Sequence, residues 1–183
     1  MIIVTDVDNT INNLQETVIK VFNERHKRNY AMNYFQHYNI EDDLPKNDAI
    51  LMREIYADPT IYDQVTPIHG SQNALRKLVN DGHEVYFASD VIPSTYEAKV
   101  AWLNHYFPFI DNAHICAIKH KWLLNGDVLI EDNLDNLLAK PYMHRVCIDH
   151  LWNRDVNDWA RDIYRVQDWD NMLDVINKIK ELE

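Results

Sequence analysis

The chain has 183 residues, 46% of them apolar and 26% charged, which suits one globular domain with a small insertion. Its 18 basic and 29 acidic side chains give a net charge of −11, so the surface repels a long nucleic acid, although local cations can still bind a small anion. No apolar run approaches the ~20 residues of a membrane span, and the first residues lack a signal-peptide pattern. We expect a cytoplasmic protein without a membrane anchor, whose Cys116 and Cys147 are buried, reduced thiols.

The first predicted elements are a strand, MIIVTD, and a helix, INNLQETVIKVFNERHKR. Within this helix Leu14, Val18 and Phe22 recur at helical spacing. From residue 29 to about residue 67 the composition changes to aromatic and polar residues. We interpret that stretch as part of an inserted, mostly helical lobe.

A regular α/β alternation resumes after this lobe. The predicted elements are helix SQNALRKLVNDG, strand HEVYFAS, helix STYEAKVAWLNHYF, strands AHICAI and DVLIED, helix NLDNLLAK, strand RVCID, then YRV and helix DWDNMLDVINKIKEL. Apolar strands separated by helices are typical of a parallel sheet that is buried on both faces. We predict an α/β fold with a Rossmann-like, doubly wound, mostly parallel sheet. Its core is residues 1–13 and 67–183, and residues 14–66 form a small helical cap inserted after the first strand.

Polar side chains follow four of the predicted strands. Ligands of such sheets bind beyond the carboxyl ends of the strands, where loops from several strands converge. We therefore expect these side chains to share one site. The four pairs are Asp6 and Asp8, Ser89 and Asp90, Lys119 and Lys121, and Glu131 and Asp132.

This combination of side chains predicts phosphoryl chemistry. Crowded carboxylates need a cation between them, and Mg²⁺ typically binds one or two carboxylates plus a substrate phosphate, so Asp6 and Asp132 are natural ligands. An aspartate beside the metal can attack phosphorus, which makes Asp6 a candidate nucleophile and Asp8 a candidate acid and base. Ser89 and one of the lysines would bind the phosphoryl oxygens.

The D-x-D-x-T motif is weak by itself, and its structural alternative is that Asp6 and Asp8 cap the following helix. Capping does not explain four polar clusters at four strand ends. We therefore favour the catalytic interpretation.

The segments DVDNT, VYFAS, KHK and VLIEDN resemble the four motifs of the haloacid dehalogenase superfamily of aspartyl-phosphate phosphohydrolases. Within it, YEAKVAWLNHYF, CIDHLWNR and YRVQDW are similar to the 5'(3')-deoxyribonucleotidase family, which hydrolyses nucleoside monophosphates with Mg²⁺ beneath a small helical cap. The resemblance implies that Asp6 is the nucleophile and that Asp8 is the acid and base, which also offers Mg²⁺ its backbone carbonyl. It implies that Ser89 and Lys121 contact the phosphate and that Asp132 is a metal ligand. It also suggests Lys99 as a further phosphate contact.

The sequence departs from this family pattern at several positions near the motifs. Asn9 stands where many relatives have Gly, and Leu14 where many have an aromatic residue. His120 replaces an Asp before the lysine, and Glu131 and Asn133 flank Asp132 where the family tends to have Asp-Asp-Arg. These changes affect the expected substrate choice more than the expected chemistry.

We predict a phosphatase of the 5'-nucleotidase type that acts on a small phosphate ester, a deoxynucleoside monophosphate by resemblance. The alternatives are another small phosphate ester, a polynucleotide end, or phosphate or nucleotide binding without catalysis. The resemblance is also compatible with a homodimer. One or two aromatic residues of the lobe are candidates to stack on a base: Tyr30, Tyr34, Phe35, Tyr38, Tyr56 and Tyr62.

Overall fold

The computed structural model describes residues 1–139, 142, 144–154 and 162–182. Within these ranges, six strands form an all-parallel sheet in the order β3-β2-β1-β4-β5-β6. The strands are β1 (Ile2–Thr5), β2 (Glu84–Ser89), β3 (Ile115–Ala117), β4 (Val128–Glu131), β5 (His144–Ile148) and β6 (Ile163–Val166). The predicted parallel α/β fold is confirmed, and YRV belongs to the last strand.

Six α-helices surround the sheet in the described part of the chain. They are α1 (Leu14–His26), α2 (Lys46–Tyr56), α3 (Ser71–Asn80), α4 (Tyr96–Tyr106), α5 (Leu134–Leu138) and α6 (Met172–Lys180). Short 3₁₀ turns occur between them, among them Ile40–Asp43, Pro59–Asp63, Lys121–Leu123 and Leu151–Asn153. No helix in the described ranges is both long enough and apolar enough to cross a membrane.

Both faces of the sheet are buried. Alternate residues of each strand point to opposite faces, and the apolar residues of each face belong to a core. Ile3 and Phe87 belong to a large core that includes apolar residues of α1, α3, α4 and α6. Val4 and Leu129 belong to a smaller core on the other face, which includes Leu137 of α5. Helices on both faces of a parallel sheet make the fold doubly wound, as predicted.

The segment from α1 to the 3₁₀ turn Pro59–Asp63 lies between β1 and β2 and is mostly helical. Its apolar residues Phe22, Phe35 and Met52 belong to the same large core as the sheet residues. Its division from the rest of the chain as a cap of residues 14–66 stays a prediction.

Two details differ from the sequence prediction. The first helix begins at Leu14 rather than at Ile11, because residues 8–13 form a tight loop in which Asn9 has a φ of 59°. Neither cysteine forms a disulfide in the described ranges, and Cys147 is buried as predicted, but Cys116 is only half-buried.

The register of the sheet positions the site. Thr5 at the end of β1 lies opposite Phe87 of β2 and Ile130 of β4. The next residue, Asp6, donates its backbone N–H to the carbonyl of Ile130 at 2.8 Å. The residues that follow β1, β2 and β4 therefore meet at one edge of the sheet.

Candidate active site

The centre of this edge is a buried cluster of three acidic residues and one lysine. Lys121, in the turn after β3, places its Nζ 2.8 Å from Oδ1 of Asp6 and 3.0 Å from Oε2 of Glu131. Asp132 follows Glu131 and is fully buried. Of the two lysines that the sequence left open, Lys121 is therefore the one in the cluster. Lys119 is exposed and lies 3.9 Å from Asp90.

Burial and mutual repulsion dominate the electrostatics of this cluster. Burial raises the pKa of Asp6, and Lys121 opposes that rise. Burial also raises the pKa of Asp132 well above its usual range, and the charges of Glu131 and Asp6 add to the effect. Burial alone would lower the pKa of Lys121, but Asp6 and Glu131 raise it well above its usual value. Three carboxyl groups therefore lie around one ammonium group, which leaves an excess of negative charge in a buried site.

This arrangement suits a divalent cation. One carboxylate oxygen from each of Asp6, Glu131 and Asp132 lies within 4.8 Å of the others. Both side-chain oxygens of Asp132 are buried and have no hydrogen-bond partner among the described residues. A buried carboxylate without partners is costly unless a cation pairs with it, and hard oxygen ligands favour Mg²⁺. The donor set therefore fits the metal that the sequence predicts.

Glu131 belongs to this cluster but is already engaged. Its Oε2 pairs with Lys121, and its Oε1 accepts from the backbone N–H of Asn133 at 3.3 Å and from Asn136 Nδ2 at 3.2 Å. Asp132 has no such partners. Asp132 is therefore the carboxylate left available for a cation, whereas Glu131 is the counterion of Lys121, a role that the sequence did not assign.

A second polar cluster lies beside the first. Lys99, on α4, is almost fully buried, and its Nζ lies 2.5 Å from Oδ2 of Asp8, 2.7 Å from Oγ of Ser89 and 3.0 Å from the Asp90 carbonyl oxygen. The other Asp8 oxygen, Oδ1, accepts from Asn12 Nδ2 at 3.1 Å. The structure thus brings together the predicted residues Asp8, Ser89 and Lys99, which come from three separate elements.

Three neighbours that the sequence prediction missed hold the two clusters in place. Thr10, in the D-x-D-x-T motif, donates its hydroxyl to Oδ2 of Asp6 at 3.3 Å. Asn153 donates from Nδ2 to the carbonyl of Asp132 at 2.9 Å, and His150 Nε2 lies 2.7 Å from the Asn9 carbonyl. The last two lie in the CIDHLWNR segment, for which the sequence indicates only a family resemblance. No periodicity or motif spacing connects them to the acids.

A cleft of about 350 Å³ opens beside the second cluster, a size typical of small-molecule sites. Asp8 and Lys99 lie at its wall, and the rest of the lining includes Gln15, Tyr38, Glu41, Arg53, Tyr56 and Tyr62. Burial and the nearby Asp8 raise the pKa of Tyr56 and of Tyr62, so both phenols stay neutral. The cleft therefore joins an acidic and cationic end to an aromatic wall. Of the aromatic candidates predicted from the sequence, Tyr38, Tyr56 and Tyr62 line it.

Several solved structures that share this fold are haloacid dehalogenase-like hydrolases. One from Streptococcus pneumoniae superposes with a TM-score of 0.64 at 13% identity, covering 95% of this chain and 97% of that chain. Another from Deinococcus radiodurans, solved with bound phosphate and sodium, has a TM-score of 0.64 at 14% identity and covers 98% of this chain and 96% of that chain. The chain therefore has the haloacid dehalogenase-like fold, as predicted, with an acidic site at its strand ends.

A family model assigns the chain to a narrower group than its fold does. The model of the family described as 5' nucleotidase, deoxy (pyrimidine), cytosolic type C protein matches residues 1–182, and the chain belongs to that family. The 5'(3')-deoxyribonucleotidase of Bacillus subtilis is 28% identical over 119 residues, covering 64% of this chain and 66% of its own. A Staphylococcus epidermidis protein, named provisionally for the same activity, is 24% identical over 184 residues, with coverages of 98% and 97%. The predicted enzyme class, a phosphatase of the nucleotidase type, is confirmed.

Proposed function

We propose that this protein hydrolyses deoxynucleoside monophosphates in a Mg²⁺-dependent reaction that passes through a phosphorylated Asp6. The observation that carries this proposal is the buried Asp132 carboxylate, which has no partner in the described structure and lies within reach of Asp6. A carboxylate in this state calls for a cation beside the nucleophile.

Asp6 and Asp132 would hold Mg²⁺ through their side chains, and Asp8 through its backbone carbonyl. The bound ion would neutralise the excess negative charge of the cluster and polarise the phosphoryl group. Lys121 already neutralises part of that charge, because its ammonium group contacts both Asp6 and Glu131.

In the first step a carboxylate oxygen of Asp6 forms a bond to phosphorus, and the bond from phosphorus to the substrate alcohol oxygen breaks. Asp8 donates a proton to the departing oxygen. In the second step Asp8 takes a proton from water as that water attacks phosphorus. The bond between Asp6 and phosphorus then breaks, which releases inorganic phosphate and restores the Asp6 carboxylate.

Lys99 and Ser89 would bind the phosphoryl oxygens of the substrate. In the structure the Lys99 ammonium lies 2.5 Å from Asp8. A substrate phosphate competes with Asp8 for this ammonium group, and the Asp8 carboxyl is then free to carry the transferred proton.

The aromatic wall of the cleft supports a nucleoside as the leaving group. A base stacked on a tyrosine gains about 1–3 kcal/mol, and Tyr38, Tyr56 and Tyr62 all line the cleft. The family description names deoxy and pyrimidine substrates, and the Bacillus subtilis relative is a 5'(3')-deoxyribonucleotidase. Following the same description we propose a cytosolic location, which agrees with two cysteines that form no disulfide in the described ranges. The homodimer stays a prediction.

The test is phosphate release from deoxynucleoside and ribonucleoside 5'- and 3'-monophosphates, sugar phosphates and phenyl phosphate, with Mg²⁺ or with EDTA. We expect release that needs Mg²⁺ and favours deoxynucleotides. Asp6→Asn should reduce turnover at least about 10³-fold with an unchanged circular dichroism spectrum. Asp63→Asn is the matched control, because Asp63 is exposed and lies outside the cleft lining. Turnover retained by Asp6→Asn would exclude the mechanism, and turnover in EDTA would exclude the metal.

A further inference from the structure

Gln15 is a buried polar residue of the cleft that the proposed reaction leaves unused. It is the second residue of α1, only 2% exposed, and its side chain lines the cleft beside Asp8 and Leu14. Its side-chain Nε2 is buried and has no hydrogen-bond partner among the described residues. Most buried amide groups have partners, so this donor requires an explanation.

The orientation of the Gln15 amide follows from its contacts with Asn9. The Asn9 Oδ1 accepts from the backbone N–H of Gln15 at 2.9 Å, which determines which end of the Asn9 amide is oxygen. Its Nδ2 therefore faces the Gln15 side chain and donates to Oε1 at 3.4 Å. A reversed Gln15 amide would place two NH₂ groups against each other, so the NH₂ group of Gln15 is the end left without a partner.

The loop that carries Asn9 is itself held in place. Asn9 has a φ of 59°, a left-handed conformation that asparagine tolerates better than most residues. Its backbone N–H donates to Asn12 Oδ1 at 3.1 Å, and its carbonyl lies 2.7 Å from His150 Nε2. These contacts fix the position of Asn9, which directly follows Asp8. Asn9 in turn fixes the position of the Gln15 side chain and its NH₂ donor.

We propose that Gln15 determines substrate specificity by donating this hydrogen bond to an oxygen atom of the nucleoside part of the substrate. The inference rests on the function proposed above. Two oxygens have the required chemistry, a sugar hydroxyl and a base carbonyl. A substrate that supplies either one satisfies a buried donor that is otherwise unpaired, whereas an ester with an apolar leaving group does not.

The experiment compares Gln15→Met with the parent enzyme on three esters. These are a pyrimidine deoxynucleoside 5'-monophosphate, 1,2-dideoxyribose 5-phosphate, which has the sugar hydroxyl but no base, and phenyl phosphate. Methionine has nearly the same shape but no donor. We expect kcat/KM to fall about tenfold or more on the nucleotide and to stay within about twofold on phenyl phosphate. A parallel loss on the sugar phosphate assigns the acceptor to the sugar, and its absence assigns it to the base.

Gln64→Met is the matched control, because Gln64 is exposed and lies outside the cleft lining. It should leave all three values unchanged. Gln15→Glu, which keeps the shape and turns the donor into an acceptor, should reduce the nucleotide rate further than Gln15→Met does. This second variant also keeps an oxygen for the Asn9 Nδ2, so the loop retains its contact.

Two results would overturn the inference. An equal loss on all three esters would mean that Gln15 acts on the phosphate or only supports the loop. A nucleotide rate unaffected by Gln15→Met would mean that the donor has no substrate partner. Neither result touches the proposed function, which fails separately if the parent enzyme releases no phosphate from the nucleotide.

Discussion

The charge of Asp132 is more costly to bury than the charges of its neighbours. Lys121 pairs with Asp6 and with Glu131, and Lys99 pairs with Asp8, whereas neither Asp132 oxygen has a hydrogen-bond partner in the described ranges. Burial raises the pKa of Asp132 for the same reason. A buried carboxylate without a partner lowers the free energy of unfolding of the metal-free protein.

Replacing Asp132 with Asn should therefore stabilise the metal-free protein while impairing the enzyme. In EDTA we expect the free energy of unfolding to rise by about 1–2 kcal/mol, because a neutral amide is less costly to bury than a charge. In Mg²⁺ we expect turnover to fall at least about 100-fold. Urea denaturation and phosphate release measure the two effects. Asp63→Asn, at an exposed position, is the control and should change neither. A destabilised Asp132→Asn variant would contradict this account of the site.

At the scale of elements, contacts between α2 and the residues just after α1 hold in place the helical segment that forms part of the cleft wall. Arg28, just beyond the end of α1, donates to both Asp48 oxygens at 2.9 Å, and the Tyr30 hydroxyl donates to Asp48 Oδ2 at 2.7 Å. These contacts lower the pKa of Asp48 to about 2. Asp48 lies in the first turn of α2, whose later residues Arg53 and Tyr56 line the cleft.

The contacts of Asp48 with Arg28 and Tyr30 predict a pH-dependent contribution to stability. A carboxyl group with a lowered pKa stabilises the folded state above its ordinary value of 3.8, and the contribution disappears as the pH falls toward about 2. Asp48→Asn should therefore lower the melting temperature by a few degrees at neutral pH, and the difference from the parent should narrow below pH 3.8. Thermal denaturation followed by circular dichroism measures this. Asp42→Asn, at an exposed acid of the same segment, should show no such convergence. A difference that persists undiminished in acid would exclude the ion pair as its source.

At the scale of the whole molecule, the net charge of −11 and the buried acidic cluster act in the same direction. Both disfavour the compact state through repulsion, and both are relieved by cations. They differ in that surface charge responds to any salt, whereas the cluster should respond to a divalent ion that fits it.

Mg²⁺ should therefore raise the melting temperature beyond what salt alone achieves. At a concentration 100 times the dissociation constant, binding adds about 2.7 kcal/mol to the free energy of unfolding, or roughly 5–10 °C for a chain of this size. Differential scanning fluorimetry in MgCl₂, against NaCl of equal ionic strength, separates binding from screening. Asp132→Asn should lose the Mg²⁺-specific part and keep the response to NaCl. An identical response of both proteins would place the ion elsewhere.

The sequence alone determined the features that depend on local order along the chain. The parallel strands follow from apolar runs such as MIIVT and VLI, and the acids at their ends could be assigned to one edge because parallel strands all end there. The resemblance of four short motifs to a known superfamily then identified Asp6, Asp8, Ser89, Lys121 and Asp132 as a group.

Only the tertiary structure decided how these side chains pair, because pairing depends on register and packing between distant segments. Lys99 reaches Asp8 across 91 positions of sequence, and Asn153 reaches Asp132 across 21. Neither contact leaves a periodic pattern. The late start of α1 and the free amide of Gln15 both follow from the left-handed turn at Asn9, a conformation that the composition of the loop does not specify. The grouping of the acidic and basic residues at one edge of the sheet was therefore predictable from local sequence, whereas the contacts that would select a substrate became visible only in the folded chain.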